Sequence, residues 1–188
     1  EGKWQNNTDF CFWNTPLTEL AGKTMGLVGY GSIAQNVAKV ARAFGLRVIY
    51  TARTAREDKD YVTLETLLAQ SDIVSLHCPQ TAENLRMINA ETLARMKDGA
   101  ILINTARGGL VDEQALADAL ETGKLAYYCA DVVSKEPISP ENPLLTAKNC
   151  FLTPHIAWAP KETRERLHQI NVENVRAFLN GAPQNVIV

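Results

Sequence analysis

Met25-Gly26-Leu27-Val28-Gly29-Tyr30-Gly31-Ser32-Ile33-Ala34 begins as a short apolar run, breaks on two glycines and continues into helical spacing. Strand, glycine turn and helix in that order are what a dinucleotide-binding turn requires. Glycine permits the tight bend and lets the main chain approach a pyrophosphate, whose charge meets the free amides of a helix N-terminus. Gly29, Gly31, Ser32 and Ile33 are the candidate phosphate-binding residues. Ala34 stands where a third glycine is usual, and alanine serves because only close helix-strand packing is needed there. The hexad by itself also fits an ordinary strand-helix turn.

Outward from this turn, apolar runs recur at Leu46 to Tyr50, Ile73 to Leu76, Ala100 to Ile103, Leu125 to Ala130 and Cys150 to Leu152, with helix-like stretches between them. This alternation predicts an α/β fold, a Rossmann-like doubly wound parallel sheet. Ile33, Val37, Val40, Ala41 and Phe44 mark the first helix, which stops at Gly45. Thr63 opens a short helix through Leu67 and Leu68. Asp112 is a natural N-cap for a helix over Glu113 to Glu121, with an apolar stripe at Ala115, Leu116, Ala119 and Leu120 and a stop at Gly123.

Three segments result: an arm at 1–20, a dinucleotide-binding domain at 21–159, and a C-terminal helix and tail at 160–188. The arm carries Trp4, Phe10, Phe12, Trp13 and Leu17, more apolar surface than a solvated tail shows, and is a candidate dimer contact. The last helix, from about Pro160 to Asn180, is apolar at Leu167, Ile170, Val175, Phe178 and Leu179. Asn185 to Val188 reads as extended.

At 188 residues, with 46% hydrophobic and 21% charged side chains, the chain can bury a sizeable core, and disorder, coiled coil and collagen are excluded. A net charge of -2 gives no long-range pull toward nucleic acid or an anionic membrane, so neither is an expected partner. The four cysteines, Cys11, Cys78, Cys129 and Cys150, form no C-x-x-C pair, which argues against a metal site or a redox dithiol. Free thiols, with no apolar run of membrane-spanning length and no signal-peptide core at the N-terminus, predict a cytoplasmic protein.

At the end of the second strand the chain reads Tyr50-Thr51-Ala52-Arg53-Thr54-Ala55-Arg56, with no acid until Glu57. An Asp or Glu there would select NAD by bonding the ribose 2'-hydroxyl and repelling a 2'-phosphate. Thr51 and the guanidinia of Arg53 and Arg56 suit that phosphate instead, so NADP is favoured over NAD. The alternative has Arg53 stacking on the adenine and Arg56 solvated in its loop.

Ile103-Asn104-Thr105-Ala106-Arg107-Gly108-Gly109-Leu110-Val111-Asp112, directly after a strand, resembles the D-isomer-specific 2-hydroxyacid dehydrogenase family. Leu20 to Thr24, His77-Cys78-Pro79, Asp131 with Glu136-Pro137, and Thr153-Pro154-His155 occur in family order around it. Pro154-His155-Ile156-Ala157-Trp158 is most similar to the glycerate dehydrogenase, or hydroxypyruvate reductase, branch. The resemblance implies hydride transfer between NAD(P)H and a small 2-oxo acid, hydroxypyruvate or glyoxylate, and a homodimer formed by the nucleotide domain.

Arg107, at a strand's C-terminal end, has the planar fork that holds a carboxylate and carbonyl, the role the resemblance assigns it. His155 ends the last strand, and imidazole can give and take a proton near neutral pH. Glu136 is the carboxylate to orient it, and the family pairs the two. Asp131 resembles the aspartate that meets the nicotinamide carboxamide, or else caps a loop. Cys78, Pro79, Thr105 and Ala106 would line the cofactor, with Cys78 packed and not nucleophilic. His77 is expected to be structural, and His168 belongs to no motif.

Members of the family carry an N-terminal substrate domain, expected here to be absent, and return to it through their last helix. The C-terminal helix is therefore expected to lack its usual partner. Two other readings stand beside the dehydrogenase: a nucleotide-binding corepressor-like interaction module, and a catalytically inert fragment.

Overall fold

The six apolar runs become six strands, β1 (Thr24–Val28), β2 (Arg47–Thr51), β3 (Ile73–Leu76), β4 (Ala100–Asn104), β5 (Leu125–Ala130) and β6 (Cys150–Leu152). The computed structural model describes residues 2–14 and 17–187. Every strand pairing is parallel, in the order β2-β1-β3-β4-β5-β6. A one-residue bridge between Tyr50 and Tyr61 extends the sheet beyond β2.

The chain leaves β1 toward one edge and returns to place β3 on its other side. β1 and β3 therefore flank the point where strand order reverses, and a crevice opens there at their carboxyl ends. The helices are α1 (Ser32–Ala43), α2 (Leu64–Gln70), α3 (Ala90–Arg95), α4 (Glu113–Glu121) and α5 (Lys161–Leu179). Helix α1 closes over Leu27, Val48 and Tyr50 on one face of the sheet. Helices α2, α3 and α4 bury Leu67, Leu68, Leu93, Leu116 and Leu120 against the other, so the sheet is doubly wound.

Local signals explain the boundaries. The Thr63 side chain accepts from Thr66 N–H to start α2, and Asp112 from Ala115 N–H to start α4. Helix α3, for which the apolar pattern gave no expectation, is held by a reciprocal cap between Asn89 and Thr92. The predicted apolar face of α1 is corrected. Ala34, Ala38 and Ala41 are buried against the sheet, while Ile33, Val40 and Phe44 are exposed. Three alanines on one line let the helix axis sit close to β1 and β2, leaving the larger side chains on the flank.

Trp4, Phe10, Phe12, Trp13 and Leu17 of the arm are exposed, and α5 has no buried residue. The extended reading of the tail is also corrected: Asn185 takes a left-handed φ of 53° and donates to the Asn174 side chain. Val188 lies outside the described residues.

Candidate active site

Four loops leave the carboxyl ends of β1, β3, β4 and β5, and with the segment after β6 they converge on one rim. In the glycine loop the two glycines are present for different reasons. Gly29 takes φ +95°, and a Cβ on it would meet the His77–Cys78 peptide at 2.8 Å. This is where β1 and β3 pinch together. Gly31 has φ −77° and nothing within 4 Å of an added Cβ. It alone among the chain's 11 glycines has neither a left-handed backbone nor a neighbour to avoid. The space beside it, at the N-terminus of α1 with no acid in its first turn, fits a pyrophosphate. Ser32 and Ile33 follow, both exposed.

Beyond the end of β2, Glu57 is exposed, while Asp58 and Asp60 are engaged elsewhere. The Asp58 carboxylate accepts from Tyr50 Oη at 3.2 Å and from Asp60 N–H at 2.9 Å, and Asp60 pairs with Arg42 at 2.9 Å. Thr51 is half-buried, and Arg53 and Arg56 are exposed. Tyr30 of the glycine loop stacks on Tyr50 with centroids 3.8 Å apart, fixing the loop against β2. Cys78 is partly buried, which pushes its thiol up, so it is not a thiolate. Pro79 is exposed beside it, its carbonyl accepting from Asn84 Nδ2 at 2.8 Å. His77 shares its Nε2 with Ser75 Oγ at 2.9 Å, a structural contact, and burial lowers its pKa.

The fully buried Asn104 ends β4 and fixes the turn that follows. Its Oδ1 accepts from Ala106 N–H at 3.0 Å and its Nδ2 donates to the Arg107 carbonyl at 2.9 Å. Thr105 and Arg107 are exposed, with Ala106 half-buried between them. The Arg107 guanidinium donates back to the Ala106 carbonyl at 2.7 Å.

His155 Nδ1 lies 2.7 Å from Glu136 Oε2, joining the loop after β5 to the segment after β6. The hydrogen bond to His155 holds the Glu136 carboxyl below the usual range, aided by Val133 N–H and by the charges of His155 and Arg107. Arg107 is thus close enough to be felt by the pair. An apolar cavity of about 590 Å³, walled by Ile138, Leu145, Leu152 and Pro154, opens beside it.

His155 itself takes a left-handed φ of 54°, a costly conformation for a residue with a Cβ. The surroundings impose it. Asp131, 5% exposed, accepts from Thr153 Oγ1 at 2.5 Å and Ile156 N–H at 2.9 Å on one oxygen, and from Ala157 N–H at 2.8 Å on the other. Trp158 Nε1 donates to the His155 carbonyl at 2.7 Å. Burial of Asp131 works to raise its pKa, but these hydrogen bonds and the nearby His155 outweigh it and hold the group low. Asp131 therefore clamps the segment that carries the histidine.

The sequence pattern offered no role for Asn104 or Thr153, although both lie in motifs it singled out. Their partners are main-chain and carboxylate groups that only folding brings near. Among the described residues no cluster of metal-ligating side chains exists, and no helix is long and apolar enough to cross a membrane.

Parallel sheet, crevice at the strand reversal and glycine loop on a helix N-terminus define a Rossmann-like, NAD(P)-binding domain. The chain belongs to the D-isomer specific 2-hydroxyacid dehydrogenase family, whose NAD binding domain matches residues 1–157. It is 53% identical over 192 residues to a hydroxypyruvate reductase of Blautia hydrogenotrophica, covering 100% of this chain and 60% of that protein. It is 45% identical to a glycerate dehydrogenase of Methylorubrum extorquens, covering 99% and 59%. The crystal structure of the TT0316 protein from Thermus thermophilus superposes with a TM-score of 0.84 at 45% identity, covering 97% of this chain and 60% of that one. The chain thus spans about 60% of the length of the relatives it matches.

Proposed function

We propose that this chain is the cofactor-binding portion of a reductase that converts hydroxypyruvate or glyoxylate to D-glycerate or glycolate. The observation that carries the reading is the Glu136–His155 pair, 2.7 Å apart on the rim that Arg107 shares. Gly31 and the amides at the start of α1 would hold the pyrophosphate. When bound, the reduced nicotinamide supplies a hydride to C2 of the 2-oxo acid. Arg107 swings from its own backbone to fork the substrate carboxylate and carbonyl. Glu136 occupies Nδ1 of His155, which leaves Nε2 to deliver a proton to the carbonyl oxygen as charge develops there. In the reverse direction the same nitrogen accepts it.

NADP is the favoured cofactor, supported by exposed Arg53 and Arg56, with Asp58 and Asp60 engaged elsewhere. We assign Cys78, Pro79, Thr105 and Ala106 to the cofactor-lining wall. The exposed aromatic arm supports a homodimer, and the free thiols a reducing, cytoplasmic setting. The test follows oxidation of NADPH and NADH with hydroxypyruvate and glyoxylate by this chain and by its His155→Gln variant. The variant is expected to bind cofactor normally and lose about a hundredfold or more of turnover. Unchanged turnover would overturn the assignment.

A further inference from the structure

We propose that Glu113 is a positioning residue for the Glu136–His155 pair, gripping the loop that presents Glu136. The proposal deepens the reductase reading and rests on that pair being its proton-transfer machinery. Glu113 is the first residue of α4, where a negative charge suits the helix N-terminus without any further role. Its hydrogen bonds, however, leave the helix. Asp112 supplies the cap, its carboxylate accepting from Ala115 N–H at 3.1 Å.

The Glu113 carboxylate accepts from Ser134 N–H at 2.8 Å, from Ser134 Oγ at 2.6 Å and from Asn142 Nδ2 at 3.0 Å. Ser134 and Asn142 bracket Glu136 in a loop with no regular structure of its own. Asn142 is buried, and its Oδ1 accepts from Leu144 N–H at 2.9 Å, so its amide cannot turn over. One residue before Ser134, Val133 N–H donates to Glu136 Oε1 at 3.2 Å. Gly108 also presses on the Val133–Ser134 peptide, so closely that a Cβ would stand 1.9 Å from the Val133 carbonyl carbon. The stretch that donates to Glu136 is therefore held by both Gly108 and Glu113.

Three donors facing one side chain require a carboxylate. Glutamine offers one acceptor oxygen and turns an NH2 group toward the fixed Asn142 amide or the Ser134 N–H, while alanine releases all three donors. Loss of the grip lets the loop drift, and the 2.7 Å pair opens.

The test is carboxyl and imidazole NMR on the 188-residue chain, comparing wild type with Glu113→Gln, Glu113→Ala and Ser134→Ala. In wild type the Glu136 carboxyl is expected to titrate below the usual glutamate range. In Glu113→Gln and Glu113→Ala its midpoint moves up toward that of an unpaired glutamate, and the His155 ring signals move toward those of Glu136→Gln. Ser134→Ala gives a smaller shift in the same direction, and NADPH affinity stays within about twofold in all three, since the glycine loop is untouched. An unchanged Glu136 midpoint in folded Glu113→Ala would overturn the proposal. Should that variant not fold, unchanged midpoints in Glu113→Gln and Ser134→Ala would do so. Failure of the reductase reading is a separate result, seen as full turnover in His155→Gln whatever the NMR shows.

Discussion

A methyl group added at Gly108 would stand 1.9 Å from the carbonyl carbon of Val133, whereas one added at Gly31 would meet nothing. The two substitutions therefore separate scaffold from binding. Gly108→Ala is expected to lower stability by about 3 kcal/mol, because backbone must move. Gly31→Ala is expected to change stability by less than about 0.5 kcal/mol and to weaken nicotinamide cofactors about tenfold or more. Thermal unfolding and calorimetric titration of both variants check the pair of outcomes. Arg53 gives a second test at this scale. Charge-assisted bonds to a 2'-phosphate are worth about 1.5–3 kcal/mol, so Arg53→Ala is expected to cost about tenfold or more in NADPH affinity and about twofold or less in NADH affinity. Equal losses for the two cofactors would remove the selectivity argument. Arg107, Glu136 and His155 were singled out in the sequence by the motifs they share with the family, each in the segment that follows a strand. A loop-capping role for Asp131 could be read as an alternative, but not its partners, since Thr153, Ile156 and Ala157 are 22 to 26 residues away.

Strands and capped helices could be read within a residue or two, because Thr63, Asp112 and Gly45 mark their ends by side-chain or backbone chemistry. Helix α3 escaped because six residues are too few for an apolar period and its cap uses Thr92 where Glu or Gln is the usual partner. The face of α1 was misread because hydrophobicity outranks alanine in the pattern, whereas close approach to a sheet selects alanine. At this scale the segment after β6 carries a pH prediction. Asp131 has a depressed pKa, so the stability it contributes is fully present above the ordinary aspartate value of 3.8 and is lost as pH falls through its lower native value. Asp72 adds to the same trend: burial works to raise it, but Thr24 N–H and Lys97 hold it low. Urea midpoints are expected to hold steady down to about pH 4 and to fall below it. The slope should be shallower in Asp131→Asn, which also loses stability at neutral pH because an amide NH2 then faces a main-chain N–H. An identical slope in the variant would remove Asp131 from the account.

For the molecule as a whole, the unanswered surface is apolar. Phe10 is 90% exposed and Leu17 82%, and Leu20, Val40 and Phe44 line a further apolar hollow of about 390 Å³ beside the start of the domain. Burial of this surface against a second copy is the expected outcome, and light scattering across a concentration series measures it. A monomer at every concentration would reject the dimer. The parallel α/β architecture was the most legible property of the chain, since alternating apolar runs and helices admit few other folds. What covers the arm and α5 could not be read, because apolar residues announce that they will be buried but not by what.

The order of the sheet carries one more consequence, for synthesis on the ribosome. After β1 and β2, strand β3 joins the free edge of β1, and β4, β5 and β6 then follow in chain order, each on the edge left by its predecessor. A nascent chain can lay them down in sequence without rethreading. Arg107, Glu136 and His155 arrive in that same order, and Glu136 has no histidine to meet until β6 has docked. The proton-transfer pair thus stays unassembled until the last strand is in place, so it completes only on a sheet that has already closed.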